Sequence, residues 1–290
     1  MHFPKVSQLK PSHLAQLIVL LVAYAYILPL FPDIAIGPYQ AINPLDVAHL
    51  TFAIIVIATV GNIAMELASR HHALLLTGFL GGFTSSTATI IAMGSLAKRK
   101  PELARNAASA AIVSSISTYI QMAVLVGLTS PATLFKLALP LLVGCLVTIV
   151  YCRFSYRPAP PESRSHSKKH NPFAALKRGL IVVVVLTFML VVVAGVEETL
   201  GERGLYVATF LSGFVDGHAS AISVSEMVAL GRISIDNAMV PILLGLTSNT
   251  LVRSLVSLFS MSRKFSVHVI TALMLSNILT WITLWAVRQG

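Results

Sequence analysis

Two ionisable side chains lie at the middle of a largely apolar stretch, residues 208–228. They are Asp216 and His218. A charge inside a membrane segment is costly and usually functional. A carboxylate beside an imidazole could pass a proton near neutral pH or bind a cation. The alternative is structural, with Asp216 capping the half-helix that follows and His218 packing among its neighbours.

A second polar group interrupts an earlier apolar stretch, residues 77–97. Its members are a glycine and a run of hydroxyls: Gly82, Thr84, Ser85, Ser86, Thr87 and Thr89. A half-helix that starts here presents unpaired backbone N–H groups and a positive dipole end, which can bind an anion. The preceding carbonyls could instead coordinate Na⁺. Alternatively, the hydroxyls only cap their own helix and the glycines only permit close packing.

The two stretches are related by a constant offset of 131 positions, as from Phe79 to Phe210. Phe79, Leu80, Gly82, Phe83, Ala88 and Ile91 recur as Phe210, Leu211, Gly213, Phe214, Ala219 and Ile222. The polar residues change, because Ser85 becomes Asp216 and Thr87 becomes His218. A match this dense at one offset indicates an internal repeat.

Further candidate site residues follow each interrupted stretch. They are Thr118 and Gln121 in the span 105–128, Asn249 and Arg253 in the span 238–260, and Ser220 and Glu226 in the second interrupted stretch. Asn249 and Arg253 are one helical turn apart and share a face. Arg253 could bind an anionic substrate, pair with Asp216 or Glu226, or extend to the cytoplasmic headgroups. We favour the last of these.

The composition is that of a polytopic helical membrane protein. Of its 290 residues, 56% are apolar and 11% are charged, and the mean hydropathy is +0.81. The net charge of +10 lies mostly in short loops between apolar blocks. It therefore indicates topology and contact with anionic lipid rather than nucleic acid. No cofactor or metal site is predicted.

The broken stretches predict re-entrant hairpins. Each flank has about 12 residues, or roughly 18 Å of helix, which is too short for a hydrocarbon core of about 30 Å. With re-entrant hairpins and a cytoplasmic N-terminus, only Lys136, Arg203, Arg232 and Arg288 of the 21 Lys and Arg residues lie outside. Threadings in which every segment spans separate the charges less well or reverse them, so the positive-inside rule favours hairpins.

We therefore predict an all-α polytopic membrane protein with two inverted repeats. Each repeat has three transmembrane helices plus one re-entrant helical hairpin, and one extra transmembrane helix precedes them. The predicted divisions are 1–46 for the N-terminal helix and outer loop, 47–152 for repeat 1, 153–177 for a basic cytoplasmic linker and 178–290 for repeat 2. The tips, 84–87 and 215–218, would then meet near the midplane, as in secondary transporters.

Three runs carry a resemblance to a known family: LPLFPDIAIGPYQAINPLD at 28–46, LLLTGFLGGFTSSTAT at 74–89 and LSGFVDGHASAISVS at 211–225. They resemble the integral membrane domain that often follows an MgtC/SapB domain in bacterial proteins, and the likeness covers about residues 14–287. Members are generally described as transporters without an agreed substrate, so the resemblance implies membrane placement and a transporter fold. These 290 residues include no MgtC/SapB domain, so its role in magnesium limitation is not carried over.

We predict a secondary transporter of a small polar or ionic solute in the bacterial inner membrane, coupled to H⁺ or Na⁺. It contacts the lipid bilayer, binds no nucleic acid and could form a homodimer. An ion channel with the same tips and a non-transporting regulatory membrane protein are the alternatives. Ser85, His218 and Asp216 could be imagined as a hydrolytic triad, but no nucleophile motif surrounds Ser85, so we do not expect an enzyme.

Overall fold

The computed structural model describes residues 11–38, 42–45, 47–49, 51–52, 55–56, 59, 73–156, 184, 187–188, 191, 195, 204–214, 216–259 and 262–289. The helices are α1 (Pro11–Tyr26), α2 (Ala73–Arg99), α3 (Ala104–Thr129), α4 (Pro131–Ser155), α5 (Gly204–Gly213), α6 (Gly217–Ala229), α7 (Ile235–Leu258) and α8 (Arg263–Gln289). Short 3₁₀ turns lie at Leu28–Leu30 and Pro101–Leu103. Helices suit so apolar a chain because they satisfy their backbone hydrogen bonds internally.

The prediction of an all-α multi-pass membrane protein is confirmed. Five described helices (α2, α3, α4, α7 and α8) have the length and apolar composition of a membrane span, although α2 is broken at Ser85 and four of them are continuous. Helix α1 has 16 residues and lies within the predicted N-terminal division 1–46. Much of the first part of each predicted repeat, most of the linker 153–177 and the tip residue Val215 lie outside the described residues.

Helix α2 is broken at Ser85, which has extended backbone angles of φ −171° and ψ 109°. The chain reverses there. A Cβ added to Gly81 would lie 2.7 Å from the Thr89 hydroxyl oxygen, whereas residues eight apart in a straight helix are separated by about 12 Å. The two halves of α2 therefore lie side by side.

The packing of α2 on α3 gives the direction of each half. The first half runs parallel to α3, because Gly78 faces Ala110 and Gly82 faces Ser114. The second half joins α3 through the short turn at Pro101–Leu103 and so runs against it. We call Ala73–Arg99 hairpin 1.

Helices α5 and α6 form a second hairpin of the same kind. Its break is at Asp216, which has extended backbone angles of φ −155° and ψ 116°. A Cβ on Gly245 of α7 would meet both the Ser220 side chain of α6 and the Thr209 carbonyl of α5. Both half-helices therefore lie against the same part of α7. We call residues 204–229 hairpin 2.

The sequence offset also relates the structures of the two hairpins. In hairpin 1, the rings of Phe79 and Phe83 meet edge to face with centroids 5.2 Å apart. In hairpin 2, Phe210 and Phe214 repeat this contact at 5.3 Å. Helices α3 and α7 begin at equivalent positions, Ala104 and Ile235. The internal repeat is therefore present in the three-dimensional structure as well as in the amino-acid sequence.

In both hairpins, a glycine packs closely against the helix that follows the hairpin. A Cβ on Gly82 would meet the backbone of Ser114 and the Ser117 hydroxyl. A Cβ on Gly213 would meet the equivalent positions of α7, the Gly245 backbone and the Ser248 hydroxyl. Both glycines are needed because backbone occupies the space that a side chain would take.

Helices α4 and α8 occupy equivalent places in the repeat and run in opposite directions. Leu137 near the start of α4 shares a core cluster with Leu284 near the end of α8. Cys152 near the end of α4 shares the other cluster with Phe265 and Val269 at the start of α8.

Charge divides the described bundle into two different ends. One end, which we call the basic end, carries Lys98, Arg99, Lys100, Arg105, Arg153, Arg263 and Lys264, with Glu102 as an acidic neighbour. At the other end, the Lys136 ammonium lies 2.5 Å from the Asp236 carboxylate, and the Arg288 guanidinium donates to the Asp236 carbonyl at 3.4 Å.

Gly82→Ala and Gly213→Ala should each destabilise the fold, by about 1–3 kcal/mol, because the new methyl overlaps rigid backbone. Gly127→Ala is the matched control, since its methyl meets only the flexible end of Leu134. Unfolding in mixed micelles measures all three variants. Equal stability of the three would contradict the close approach of the hairpins to α3 and α7.

Candidate functional site

The residues at the two breaks cap the half-helices that follow them. The Ala88 N–H donates to the Ser85 hydroxyl oxygen at 3.2 Å, and the His218 N–H donates to the Asp216 carboxylate at 2.9 Å. These caps satisfy backbone donors that would otherwise be unpaired inside the bilayer. Capping, given above as the structural alternative, is thus a role of Ser85 and Asp216.

Two of the predicted site residues satisfy the ends of the half-helices that precede the breaks. The Gln121 side-chain amide donates to the Phe83 carbonyl at 3.1 Å. The Asn249 amide reaches the Gly213 carbonyl at 3.5 Å. Helix C-termini expose unpaired carbonyls, so both amides complete the break rather than face a solute.

A polar chain starts from the buried hydroxyl of Ser86 in hairpin 1. This hydroxyl shares a hydrogen bond of 2.8 Å with the Thr118 hydroxyl and donates to the Ser114 carbonyl at 3.1 Å. The Arg253 guanidinium in turn donates to the Thr118 hydroxyl at 2.9 Å. Hairpin 1, α3 and α7 are therefore joined by consecutive polar contacts.

Arg253 is buried inside the bundle, with 4% of the residue exposed. The predicted extension of Arg253 to the cytoplasmic headgroups is wrong, because the guanidinium points towards Thr118. Its positive charge attracts the Asp216 carboxylate. Its Nε has no hydrogen-bond partner within the described part of the chain. Buried guanidinium donors are nearly always satisfied, so this one is available to a ligand.

Asp216 and His218 form a close pair on hairpin 2. The Asp216 carboxylate lies 3.1 Å from the His218 Nδ1, and the side chains are 33% and 18% exposed, respectively. The His218 Nε2 is buried and has no partner among the described residues. The carboxylate is thus both paired with His218 and partly exposed, which suits uptake of a proton or cation.

Three other predicted residues hold the hairpins in shape. The Thr89 hydroxyl donates to the Ser85 carbonyl at 2.9 Å, and the Ser220 hydroxyl donates to the Gly217 carbonyl at 3.1 Å. Gly82 packs on α3 as described above. Thr84 and Thr87 flank the break and are half-buried.

Glu226 does not join the group at the tip of hairpin 2. It lies ten residues beyond Asp216 on α6, about 15 Å along the helix. It is half-buried near the mouth of the hairpin. Of the two carboxylates that Arg253 was predicted to pair with, that of Asp216 lies near enough to interact with its charge.

Tyr119 is a site residue that the sequence prediction missed. It is buried, directly follows Thr118 in α3, and its hydroxyl donates to Ser276 of α8 at 3.2 Å. Its position directly after Thr118 was the available signal. An aromatic residue in a transmembrane span is ordinarily a packing residue, so the sequence alone did not distinguish it.

No group of three or more His, Cys, Asp or Glu side chains within the described ranges could hold a metal ion. The arrangement instead offers a buried cation, an accessible carboxylate–imidazole pair and hydroxyls between them. Such a set can bind a small polar or ionic solute and exchange a proton or cation with it.

Residues 52–260 match the family described as Domain of unknown function (DUF4010). The chain belongs to this DUF4010 family. The match includes both hairpins and is shorter than the likeness predicted for residues 14–287. A family-level relative is an "Uncharacterized protein" of Aquifex aeolicus (strain VF5). It is 27% identical over 198 residues, which are 67% of this chain and 85% of that protein. No solved structure matches the chain.

The charge interaction between Arg253 and Asp216 predicts non-additive effects of mutation in this DUF4010 protein. Arg253→Gln should destabilise the fold, because it removes the buried donor to Thr118 and the favourable charge interaction with Asp216. Asp216→Asn should also destabilise, although asparagine keeps the cap. The free energy of unfolding lost in the double variant should be clearly smaller than the sum of the losses in the two single variants, as measured by unfolding in mixed micelles.

Lys136→Gln and Asp236→Asn form the control cycle. That pair is exposed, with side chains 41% and 60% accessible, so its coupling should be small. Strictly additive losses in the Arg253 and Asp216 cycle would mean that the two groups are not coupled.

Proposed function

We propose that this protein is a secondary transporter of a small polar or ionic solute. Its site is formed by the two hairpin tips and Arg253. One observation carries the proposal: polar contacts run from Ser86 of hairpin 1 through Thr118 to the buried Arg253 of α7, whose positive charge attracts the Asp216 carboxylate of hairpin 2. A solute bound there would touch both halves of the repeat, as alternating access requires.

The directions of the helices support inverted repeats. Equivalent helices α4 and α8 run antiparallel, as inverted repeats require and parallel repeats forbid. Each hairpin folds back at its break, so its two ends lie on one side of the bundle. Because the repeats are opposed, hairpin 1 would enter the membrane from one face and hairpin 2 from the other.

The charge distribution supports a cytoplasmic location for the basic end, by the positive-inside rule. Hairpin 1 would then open to the cytoplasm and hairpin 2 to the outside of a bacterial inner membrane. The buried polar residues at the breaks support this placement, since irregular backbone at membrane depth occurs where it is buried in protein or lines water.

The chemistry of the site supports coupling between a solute and a cation. A solute with an anionic or strongly accepting group would take hydrogen bonds from the free Nε of Arg253. Its charge would weaken the hold of Arg253 on Asp216, so that Asp216 could take up H⁺ or Na⁺. His218, 3.1 Å away, could pass on the proton. The coupling is reciprocal, because cation uptake by Asp216 would free Arg253 for the solute.

The same residues would serve an ion channel, and a regulatory membrane protein would need none of them. The likeness to membrane domains that follow MgtC/SapB domains adds to the transport proposal as a resemblance only. Solute currents distinguish these functions, because a channel conducts down any permeant gradient, whereas a coupled transporter needs both partners.

We expect solute-dependent currents from proteoliposomes on solid-supported membranes. The probes are sodium, potassium, chloride, phosphate and small carboxylates, each with and without a pH gradient. Ser86→Ala and Asp216→Asn should each lower the active current at least tenfold, because both touch the proposed binding site.

The controls are Ser95→Ala and Asp236→Asn, which make the same chemical changes at exposed positions away from the tips. They should keep the wild-type current. Normal flux in both tip variants would exclude the proposed site, and a current that needs no second ion would favour a channel.

A further inference from the structure

A groove of about 610 Å³ runs between α4 and α8, away from the hairpin tips. Its apolar walls are formed by Val143, Leu146, Val147, Val150, Leu275 and Leu279. Several of these side chains are exposed on the outer surface. None of the residues in the polar chain of the proposed transport site lines the groove.

One end of the groove is lined by polar side chains that have unpaired hydrogen-bonding atoms among the described residues. Arg105, Ser155 and His268 line it. The Arg105 Nε, the Ser155 hydroxyl and the His268 Nδ1 are all buried and have no hydrogen-bond partner among the described residues. Ser155 as a whole is only 5% exposed. Because buried polar atoms are nearly always paired, three orphans in one groove indicate a missing ligand.

Each of the three orphan atoms can donate a hydrogen bond to a ligand in the groove. A guanidinium Nε–H and a serine hydroxyl are donors, and the imidazole Nδ1 is a donor in one tautomer. Arg105 also brings a positive charge and lies at the basic end of the bundle. An anion with several acceptor oxygens, such as a phosphate ester, matches this set.

The apolar part of the groove has the length of a lipid chain. It follows α4 from Val143 to Phe154, about 17 Å of helix. One leaflet of the hydrocarbon core is about 15 Å deep. The polar end lies at the basic end of the bundle, where the positive-inside rule puts the cytoplasmic headgroups.

We propose that this groove binds one anionic glycerophospholipid. Its phosphodiester lies against Arg105, Ser155 and His268, and one acyl chain lies along α4 and α8. The groove ends at Phe154 and Tyr151 on the headgroup side. The lipid joins the equivalent helices of the two repeats on their outer surface.

Native mass spectrometry of the full-length protein tests this proposal by titration with phosphatidylglycerol. Phosphatidylglycerol should bind at least tenfold tighter than phosphatidylcholine of the same chains. Arg105→Gln should weaken phosphatidylglycerol binding at least tenfold. Arg153→Gln is the matched control: it removes an equal charge two residues before Ser155, at an exposed position outside the groove, and should leave binding unchanged.

Leu146→Trp supplies a second variant that keeps the polar end intact. Its larger side chain fills the apolar groove, so lipid binding should again fall at least tenfold. Equal binding of the two lipids, equal loss in Arg105→Gln and Arg153→Gln, or full binding by Leu146→Trp would each overturn the proposal. Displacement of the lipid by millimolar inorganic phosphate would overturn it too, because the site would then recognise a free anion.

Discussion

Hydrocarbon offers no hydrogen bonds, so every backbone group and every charge inside the membrane needs a partner from the protein. A helix broken at membrane depth makes this demand severe, since each break exposes donors on one side and carbonyls on the other. Here Ser85 and Asp216 cap the donors, while Gln121 and Asn249 supply amides to the carbonyls. Helices α3 and α7 carry polar residues on the faces that contact the hairpins, because these residues pair with the backbone groups that each break exposes.

Both repeats form this hairpin geometry, but only the second has a charged residue at the position of Arg253. Both hairpins have an edge-to-face phenylalanine pair and a glycine pressed against the next helix. The position in α3 equivalent to Arg253 is Met122, a buried apolar residue. A symmetric scaffold therefore holds an asymmetric group of residues, in which one cation on α7 reaches across to Thr118 of α3. Such asymmetry would suit the proposed transport site, which takes one solute rather than two.

Sequence reasoning located the breaks because glycine and hydroxyl clusters inside apolar runs have few structural explanations. It also located the repeat, because a constant offset needs no knowledge of packing. It was wrong about Arg253, whose long side chain could reach either the headgroups or the interior, and only the position of Thr118 decides between them. It missed Tyr119 because distances between helices are invisible in the sequence.

The most direct test is the sidedness of two equivalent loops, those after hairpin 1 and hairpin 2. Single cysteines replace the exposed residues Glu102 and Ser234 in a protein whose Cys145 and Cys152 are changed to serine. An impermeant thiol reagent is then applied to intact and to permeabilised cells. We expect the Ser234→Cys protein to react in intact cells and the Glu102→Cys protein to react only after permeabilisation. Reaction of both from the same side would make the repeats parallel, and the two hairpin tips could not then form one site.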